Sequence, residues 1–404
     1  MDNTKKGNTR YFMILLVMCA FSCCSYGIAV NSAGVFFTPI AEEFNTGKGA
    51  VSLTLTLSSL LCALSGLGLP KILNEHSLKA VFGGAAACMV LSTIGMGLSP
   101  NIYFLYLMNA LRGIGAGFVS YVTITIFVNN WFYAKHGLAT SVTMGFAGIS
   151  GAILSPLFTS IIAQMGWRSA YNLSAVLLAV LLVPSIFLPI SIKPETCGMH
   201  AYGIEQKKTA SSADQDAESS APAPFAYLLV CLVAVCSNVI IGLVQHLPSY
   251  ALSVQLSAGT GAAMLSLALI GNIVSKLAGG ALADLIGTRS SLLILACLHA
   301  LSVVLLFFTG NLFFLYAGAL LMGCGYGMGA VGISLMTKSL FGVEGFVHVF
   351  PVVSFIATIA YAIATAAIGY LYDITGGYQI SFAICLVLAV LDIACILIAY
   401  RRHK

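Results

Sequence analysis

Twelve long apolar runs, separated by short polar segments, constrain this chain more than any other feature of its sequence. A bilayer core of about 30 Å needs roughly 20 apolar residues in helical form. Backbone groups that face lipid must be paired within their own element, so we expect helices; the runs are too long and too evenly apolar for barrel strands. The predicted spans are residues 11–37, 50–73, 79–98, 102–128, 138–163, 170–190, 226–251, 260–282, 290–309, 312–336, 346–370 and 379–400.

The composition excludes an ordinary soluble enzyme. Apolar residues make up 59% of the 404 residues and charged residues only 8%, whereas soluble domains are usually about 25% charged. The net charge of +5 is too small to indicate a nucleic-acid partner. The sequence therefore predicts an all-α integral membrane protein whose surroundings are the lipid bilayer.

The distribution of Lys and Arg predicts the orientation. With the N-terminus in the cytoplasm, the outer segments hold only Lys48 and Arg168, while fourteen of the 18 basic residues lie on the inner side. This is a strong positive-inside bias, and an even number of spans returns the C-terminus to the cytoplasm. The first apolar run is too long for a signal peptide. We therefore expect a multi-pass protein of the plasma (inner) membrane with both termini cytoplasmic.

No pattern of catalytic or metal-binding residues stands out. Most of the 12 cysteines lie inside apolar runs, without CxxC or Cys/His spacing. There is no P-loop, so ATP is not expected to drive the protein, and no HExxH or GxSxG motif occurs. The sequence predicts a protein that is not an enzyme and that has no catalytic residues, no metal and no cofactor.

A polar segment divides the runs into six plus six. Residues 191–225 are rich in Ala and Ser with scattered charges, which predicts a flexible cytoplasmic linker between an N-terminal bundle, 1–190, and a C-terminal bundle, 226–404. The two halves are weakly similar. The glycines at positions 113, 115 and 117 of LYLMNALRGIGAG align with those at 323, 325 and 327 of LYAGALLMGCGYG. Duplicated six-helix units predict two pseudo-symmetric bundles.

The loop after span 8 reads GALADLIGTR and resembles the cytoplasmic loop motif of the major facilitator superfamily. Gly280, Asp284, Gly287 and Arg289 match that motif. The equivalent loop after span 2 departs from it, because Pro70 stands where the acid would be. The resemblance implies the major facilitator fold, with a substrate bound between the two bundles near mid-membrane and exposed to each side in turn.

Several local strings narrow the resemblance within the superfamily. GVFFTPIAEEF closes span 1, KPET follows span 6, HLPSYA closes span 7, and GYLYDITGGY leaves span 11. Together they are similar to the monocarboxylate transporter and oxalate:formate antiporter group. This resemblance implies a small organic anion as substrate.

Charged residues inside the membrane are the best pointers to a site, because each costs about 2.5–3.5 kcal/mol at a helix centre. The sequence places three there: Arg112 in span 4, Lys276 in span 8 and Asp392 in span 12. Arg112 can grip a carboxylate with two bonds, or it can serve structurally by bonding nearby carbonyls. Lys276 occupies a place where the resembled group carries a substrate-linked basic residue, usually Arg; alternatively it snorkels to the interface. For Asp392 a structural role is favoured over a proton relay.

Other polar residues inside the spans form a second group of candidates. His246 in span 7 can titrate near neutral pH or simply be hydrogen-bonded. Asn31 and Tyr121 lie on spans 1 and 4, which line the central cavity in the resembled fold. His299 and His348 are weaker candidates. Span 11 has no Lys or Arg, unlike the oxalate transporters, so a single-carboxylate substrate fits better than oxalate.

The sequence therefore predicts a secondary transporter of a small organic anion, a monocarboxylate, acting by proton symport or anion exchange. Its predicted substrate-binding residues are Arg112, Lys276, His246, Asn31 and Tyr121. Its predicted partners are that anion and protons, with no nucleic acid, and we expect a monomer. Two alternatives stay open: a proton-coupled drug or metabolite exporter of the same fold, and a non-transporting membrane sensor.

Overall fold

The computed structural model describes residues 2–74, 76–133, 136–203 and 224–401. Within them, twelve helices are long and apolar enough to cross a membrane, and the only strand-like pairing in this described part is one bridge between Phe132 and Tyr202. The predicted all-α fold with twelve spans is confirmed.

The spanning helices follow the predicted runs one by one. They are α1 (Thr9–Glu43), α2 (Lys48–Leu69), α3 (Leu78–Gly97), α4 (Ile102–Trp131), α5 (Leu138–Met165), α6 (Trp167–Phe187), α7 (Pro224–Ser253), α8 (Ala258–Ile286), α9 (Thr288–Leu305), α10 (Leu312–Gly342), α11 (His348–Thr375) and α12 (Gln379–Arg401).

Short polar residues and glycines set the helix boundaries. Asn101 and Ser257 accept hydrogen bonds from backbone N–H groups in the first turns of α4 and α8, which pairs donors that the helix cannot satisfy itself. Gly287 precedes α9 with a φ of 84°, and Gly342 ends α10 with a φ of 66°. Both angles lie in the left-handed region that glycine adopts most easily.

The first helix of each consecutive group of three is irregular. π-Helical turns interrupt α1 at Cys23–Asn31 and α10 at Met328–Gly332, and a 3-10 turn interrupts α7 at Gly242–His246. The remaining helix of this set, α4, is interrupted between Phe118 and Tyr121. Polar side chains repair that break: the Thr123 hydroxyl donates to the Phe118 carbonyl at 2.6 Å. This is how a broken helix avoids unpaired backbone groups at membrane depth.

The chain divides into two compact units. Unit 1 comprises Met1–Asn31, Leu57–Gly151 and Met165–Gln215; unit 2 comprises Ser32–Thr56, Ala152–Gln164 and Asp216–Lys404. These borders differ from the predicted boundaries at 190 and 226, because parts of α1, α2 and α5 group with the C-terminal helices. The division into two six-helix bundles stays a prediction.

Within unit 1, the start of the predicted linker is an ordered strap. The Trp131 indole N–H donates to the Ser191 carbonyl at 2.9 Å, and the Tyr202 N–H donates to the Trp131 carbonyl at 2.8 Å. The Tyr11 hydroxyl donates to the His200 carbonyl at 2.6 Å. Residues 191–203 are therefore held by hydrogen bonds rather than free. Residues 204–223 of the predicted linker lie outside the described residues. That this segment is a flexible linker stays a prediction.

Within unit 2, a carboxylate closes the first turn of α2. The two oxygens of Asp373 accept hydrogen bonds from the backbone N–H groups of Lys48, at 2.8 Å, and Gly49, at 2.7 Å. The Lys48 ammonium lies 3.9 Å from the centre of the Tyr372 ring. A negative charge at a helix N-terminus is stabilised both by the bonds and by the helix dipole.

Removing this charge is expected to destabilise the protein. Asp373→Asn keeps one oxygen acceptor but loses the charge and the second acceptor, which should cost about 0.5–2 kcal/mol. Asp284→Asn is the matched control, because Asp284 is exposed and pairs with no other described residue. Thermal unfolding of the purified variants should show a lower midpoint for the first and an unchanged midpoint for the second. Equal midpoints would show that the Asp373 cap contributes nothing.

The predicted orientation can be tested by labelling. Gly310 lies between α9 and α10, and a Cβ added there meets no atom within 4 Å. With the N-terminus inside, a membrane-impermeant thiol reagent applied to intact cells should label Gly310→Cys above the parent protein but should not label Ser212→Cys. Labelling of Ser212→Cys alone would show that the orientation is the opposite of the predicted one.

Candidate functional site

Arg112 lies in the regular first part of α4 in unit 1 and is 4% exposed. One terminal nitrogen donates to Asn109 Oδ1 at 2.9 Å and to the Ala29 carbonyl at 3.2 Å. Its Nε is buried and has no hydrogen-bond partner among the described residues. The guanidinium is thus partly engaged by neutral acceptors, while one donor stays open for a further acceptor.

Asn31 and Tyr121 lie in the same unit, at the irregular parts of α1 and α4. The Asn31 amide donates to the Ala147 carbonyl at 2.8 Å and is buried. The Tyr121 ring stacks on the Tyr26 ring, with centroids 3.8 Å apart and planes 9° from parallel. The stack joins the π-helical turn of α1 to the second half of α4. The predicted role of both residues in binding stays a prediction.

Lys276 lies on α8 in unit 2 and is half-buried. Within the described residues it has no acid within ion-pair distance and no hydrogen-bond partner. Asn272, one turn earlier on the same helix face, is buried with its Oδ1 unpaired in the described chain. A cation in a membrane-spanning helix without a counter-charge favours binding of an anion.

His246 is buried in unit 2, in the 3-10 turn of α7. Its Nε2 lies 2.8 Å from the Thr365 carbonyl, which can only accept, so Nε2 carries the proton. Its Nδ1 lies 3.4 Å from the Tyr378 hydroxyl. Burial raises the pKa of Tyr378 above its usual value, so that hydroxyl stays neutral. These bonds tie α7 to α11; substrate binding by His246 stays a prediction.

Two other titratable candidates are buried in unit 2 without counter-charges. Asp392 is 1% exposed, its Oδ1 has no partner among the described residues, and its neighbours include Cys236 and Cys395. Both ring nitrogens of His299 are likewise unpaired in the described chain, and the ring packs against Gly325. Neither residue neutralises Lys276.

The loop-motif residues lie where α8 meets α9. Asp284 is exposed in the last turn of α8, Gly287 forms the turn, and Arg289 lies in the first turn of α9. Nearby, the Ser291 hydroxyl donates to the Gly279 carbonyl at 2.9 Å and joins the two helices. In this structure the motif shapes the turn and does not form an ion pair among the described residues.

A set of polar groups that the sequence did not single out lies in unit 2. Gln245 on α7 is fully buried, and its carboxamide faces the hydroxyls of Tyr326 on α10 and Tyr361 on α11. Gln245 Nε2 and both hydroxyls lack hydrogen-bond partners within the described residues. The available signal was that each is a polar residue inside an apolar run.

As for metals, the described residues contain no group of three or more His, Cys, Asp or Glu side chains suited to hold an ion.

The described part of the chain combines twelve candidate membrane spans with buried polar and cationic side chains inside them. The family model for the Major Facilitator Superfamily matches residues 17–260 and 225–404. The chain belongs to this superfamily and is a multi-pass membrane transporter.

Two relatives and one solved structure that are similar over most of the chain are transporters or transporter homologues by their descriptions. The chain is 24% identical over 380 residues to the uncharacterized MFS-type transporter YcxA of Bacillus subtilis, covering 88% of this chain and 87% of that protein. It is 25% identical over 389 residues to monocarboxylate transporter 13 of Bos taurus, covering 92% and 85%. Its fold is similar to the crystal structure of a bacterial homologue of the human lysosomal transporter Spinster, with a TM-score of 0.69, 10% identity and coverage of 98% and 97%.

Proposed function

We propose that this protein is a secondary active transporter of a small organic anion, a monocarboxylate, working by alternating access. The observation that carries the proposal is Lys276, a cation in a spanning helix with no counter-charge among the described residues. Holding such a charge in the membrane costs about 2.5–3.5 kcal/mol. A carboxylate substrate would offset this cost through a charge-assisted hydrogen bond worth about 1.5–3 kcal/mol.

Arg112 supports the same substrate class from unit 1. Its Nε–H remains available while one terminal nitrogen is held by Asn109 and Ala29. A guanidinium keeps its charge at any physiological pH, so it favours anions permanently. We propose Lys276 as the primary anchor and Arg112 as a second positive centre, with Asn31, Tyr121 and His246 as further contributors to binding.

Two further features of the chain support the same function. Spanning helix α11 has no Lys or Arg, which disfavours a substrate that needs a second cation there. The similarity to monocarboxylate transporter 13, over 92% of this chain and 85% of that protein, supports the substrate class. We further propose that the protein works as a monomer in the inner membrane, with both termini cytoplasmic, and that proton symport or anion exchange drives it.

Uptake into proteoliposomes tests the proposal. The purified protein should accumulate one or more of labelled acetate, lactate, pyruvate and glycolate, and protein-free vesicles should not. Imposed proton gradients and preloaded unlabelled acid distinguish symport from exchange. Transport of cationic or neutral drugs without transport of any acid in the panel would instead support the exporter alternative.

A further inference from the structure

Three unsatisfied polar side chains meet in the interior of unit 2. Gln245 is 0% exposed, and its amide nitrogen has no partner among the described residues. The hydroxyls of Tyr326 and Tyr361 lie within electrostatic range of the same carboxamide, and neither has a partner with hydrogen-bond geometry among the described residues. Buried polar atoms are nearly always paired, and each unpaired one costs about 1–3 kcal/mol. Three of them together indicate a site that a guest molecule completes.

The orientation of the Gln245 amide is fixed by the backbone of α1. The Gly34 N–H donates to Gln245 Oε1 at 3.2 Å. Because a backbone N–H can only donate, the atom it meets must be the amide oxygen, and the NH2 group must face the two tyrosines. Gly34 also lies so close to α7 that any Cβ at position 34 would overlap the backbone carbonyl of Gln245. A larger residue at position 34 would therefore break this contact.

The chemistry of the three groups selects the guest. The amide nitrogen offers only donors, and each phenol offers one O–H donor beside its acceptor oxygen. A carboxylate oxygen accepts several such bonds and donates none, so it can satisfy these donors together. These three donors are uncharged, so they do not neutralise the charge of the substrate. Lys276, elsewhere in unit 2, would balance that charge.

We propose that Gln245, Tyr326 and Tyr361 bind a carboxylate oxygen of the transported anion, and that Gly34 acts as the positioning residue that aims the Gln245 amide at this site. The inference rests on the proposed function. It links the contact between α1 and α7 to substrate affinity: when Gly34 leaves Gln245, the amide is free to turn and the site loses its fixed donor. Substrate held by the aimed amide in turn stabilises the α1–α7 contact, since such coupling is reciprocal.

The test uses hydroxyl deletions that keep the ring. Tyr361→Phe and Tyr326→Phe should each raise the KM for labelled lactate, or for whichever panel acid the parent transports, by about 10- to 100-fold, because a hydrogen bond to a charged group is lost. Gln245→Glu should raise it further, since the second oxygen then faces the substrate as a negative acceptor. Tyr103→Phe, an exposed position in unit 1, is the control and should match the parent.

The positioning role needs its own readout. The Cβ added by Gly34→Ala meets the backbone at position 245 whatever side chain is there, so the unfolding midpoint should fall equally in the parent and in a Gln245→Leu background. KM should rise in the parent but much less in the Gln245→Leu background, where no amide remains to be aimed. An additive effect in the double variant would overturn the positioning role. Parent-like KM values for both Phe variants, with lactate still transported, would overturn the site and show that water alone fills it. If the parent transports no carboxylate, the proposed function fails and this inference fails with it.

Discussion

Replacing Lys276 by glutamine is expected to lower the affinity for the transported acid by about 10- to 150-fold, the equivalent of one charge-assisted hydrogen bond of about 1.5–3 kcal/mol. The glutamine side chain is one atom shorter but remains polar, so insertion and folding should be normal. What it lacks is the charge that no other described residue near Lys276 supplies. Uptake kinetics in proteoliposomes measure the change as a higher KM.

Two further variants separate charge from bulk at this position. Lys276→Arg should retain transport, because arginine keeps the charge and can form two parallel bonds to a carboxylate. Lys338→Gln, at an exposed position on α10, removes a lysine charge away from the proposed site and should leave KM unchanged. If Lys276→Gln also matches the parent, Lys276 only snorkels to the interface, and Arg112 is left as the candidate anchor.

The second large effect is expected from adding one methyl group to the aligned glycines of α4 and α10. A Cβ at Gly113 would lie 2.8 Å from Ser58 Cα, and a Cβ at Gly323 would lie 2.5 Å from the Asn272 nitrogen. Both neighbours are helix backbone, which cannot move aside without separating the helices. Overpacking of this kind costs about 1–3 kcal/mol or more. Gly113→Ala and Gly323→Ala should therefore lower the unfolding midpoint clearly.

The expected direction of the change in unfolding midpoint is opposite to the one that helix propensity alone would give. Alanine is normally better than glycine inside a helix by about 1 kcal/mol. At Gly84 and Gly280, an added Cβ meets no atom within 4 Å. Gly84→Ala and Gly280→Ala should accordingly leave the midpoint unchanged or raise it. Destabilisation of similar size at all four positions would mean that close helix approach is not what these glycines provide.

The sequence predicted the twelve helices well because one physical quantity, the length of apolar chain needed to cross lipid, governs them. It also predicted the aligned glycines. At the first glycine of each aligned set, Gly113 or Gly323, an added Cβ would overlap the backbone of a neighbouring helix. Small residues at such positions are how membrane helices gain contact.

The parts that the sequence missed depend on residues far apart in the chain. Asp373 caps α2 more than 300 residues before it, and the Gln245 amide is aimed by Gly34 on another helix. No local pattern encodes such pairs, since each member alone is only a polar residue near or within an apolar run. The sequence did not predict the ordered strap at 191–203 for a related reason. Its polar composition is that of a linker, and its order comes from hydrogen bonds to Trp131 and Tyr11.

The central claim is that the protein selects its substrate by negative charge. The most direct measurement is competition in proteoliposomes between a labelled monocarboxylate, such as lactate, and two unlabelled compounds of nearly equal size, lactate itself and lactamide. We expect lactate to compete and lactamide, which lacks the charge that Lys276 neutralises, to be weaker by at least about tenfold. Equal competition by lactate and lactamide would show that negative charge does not select the substrate.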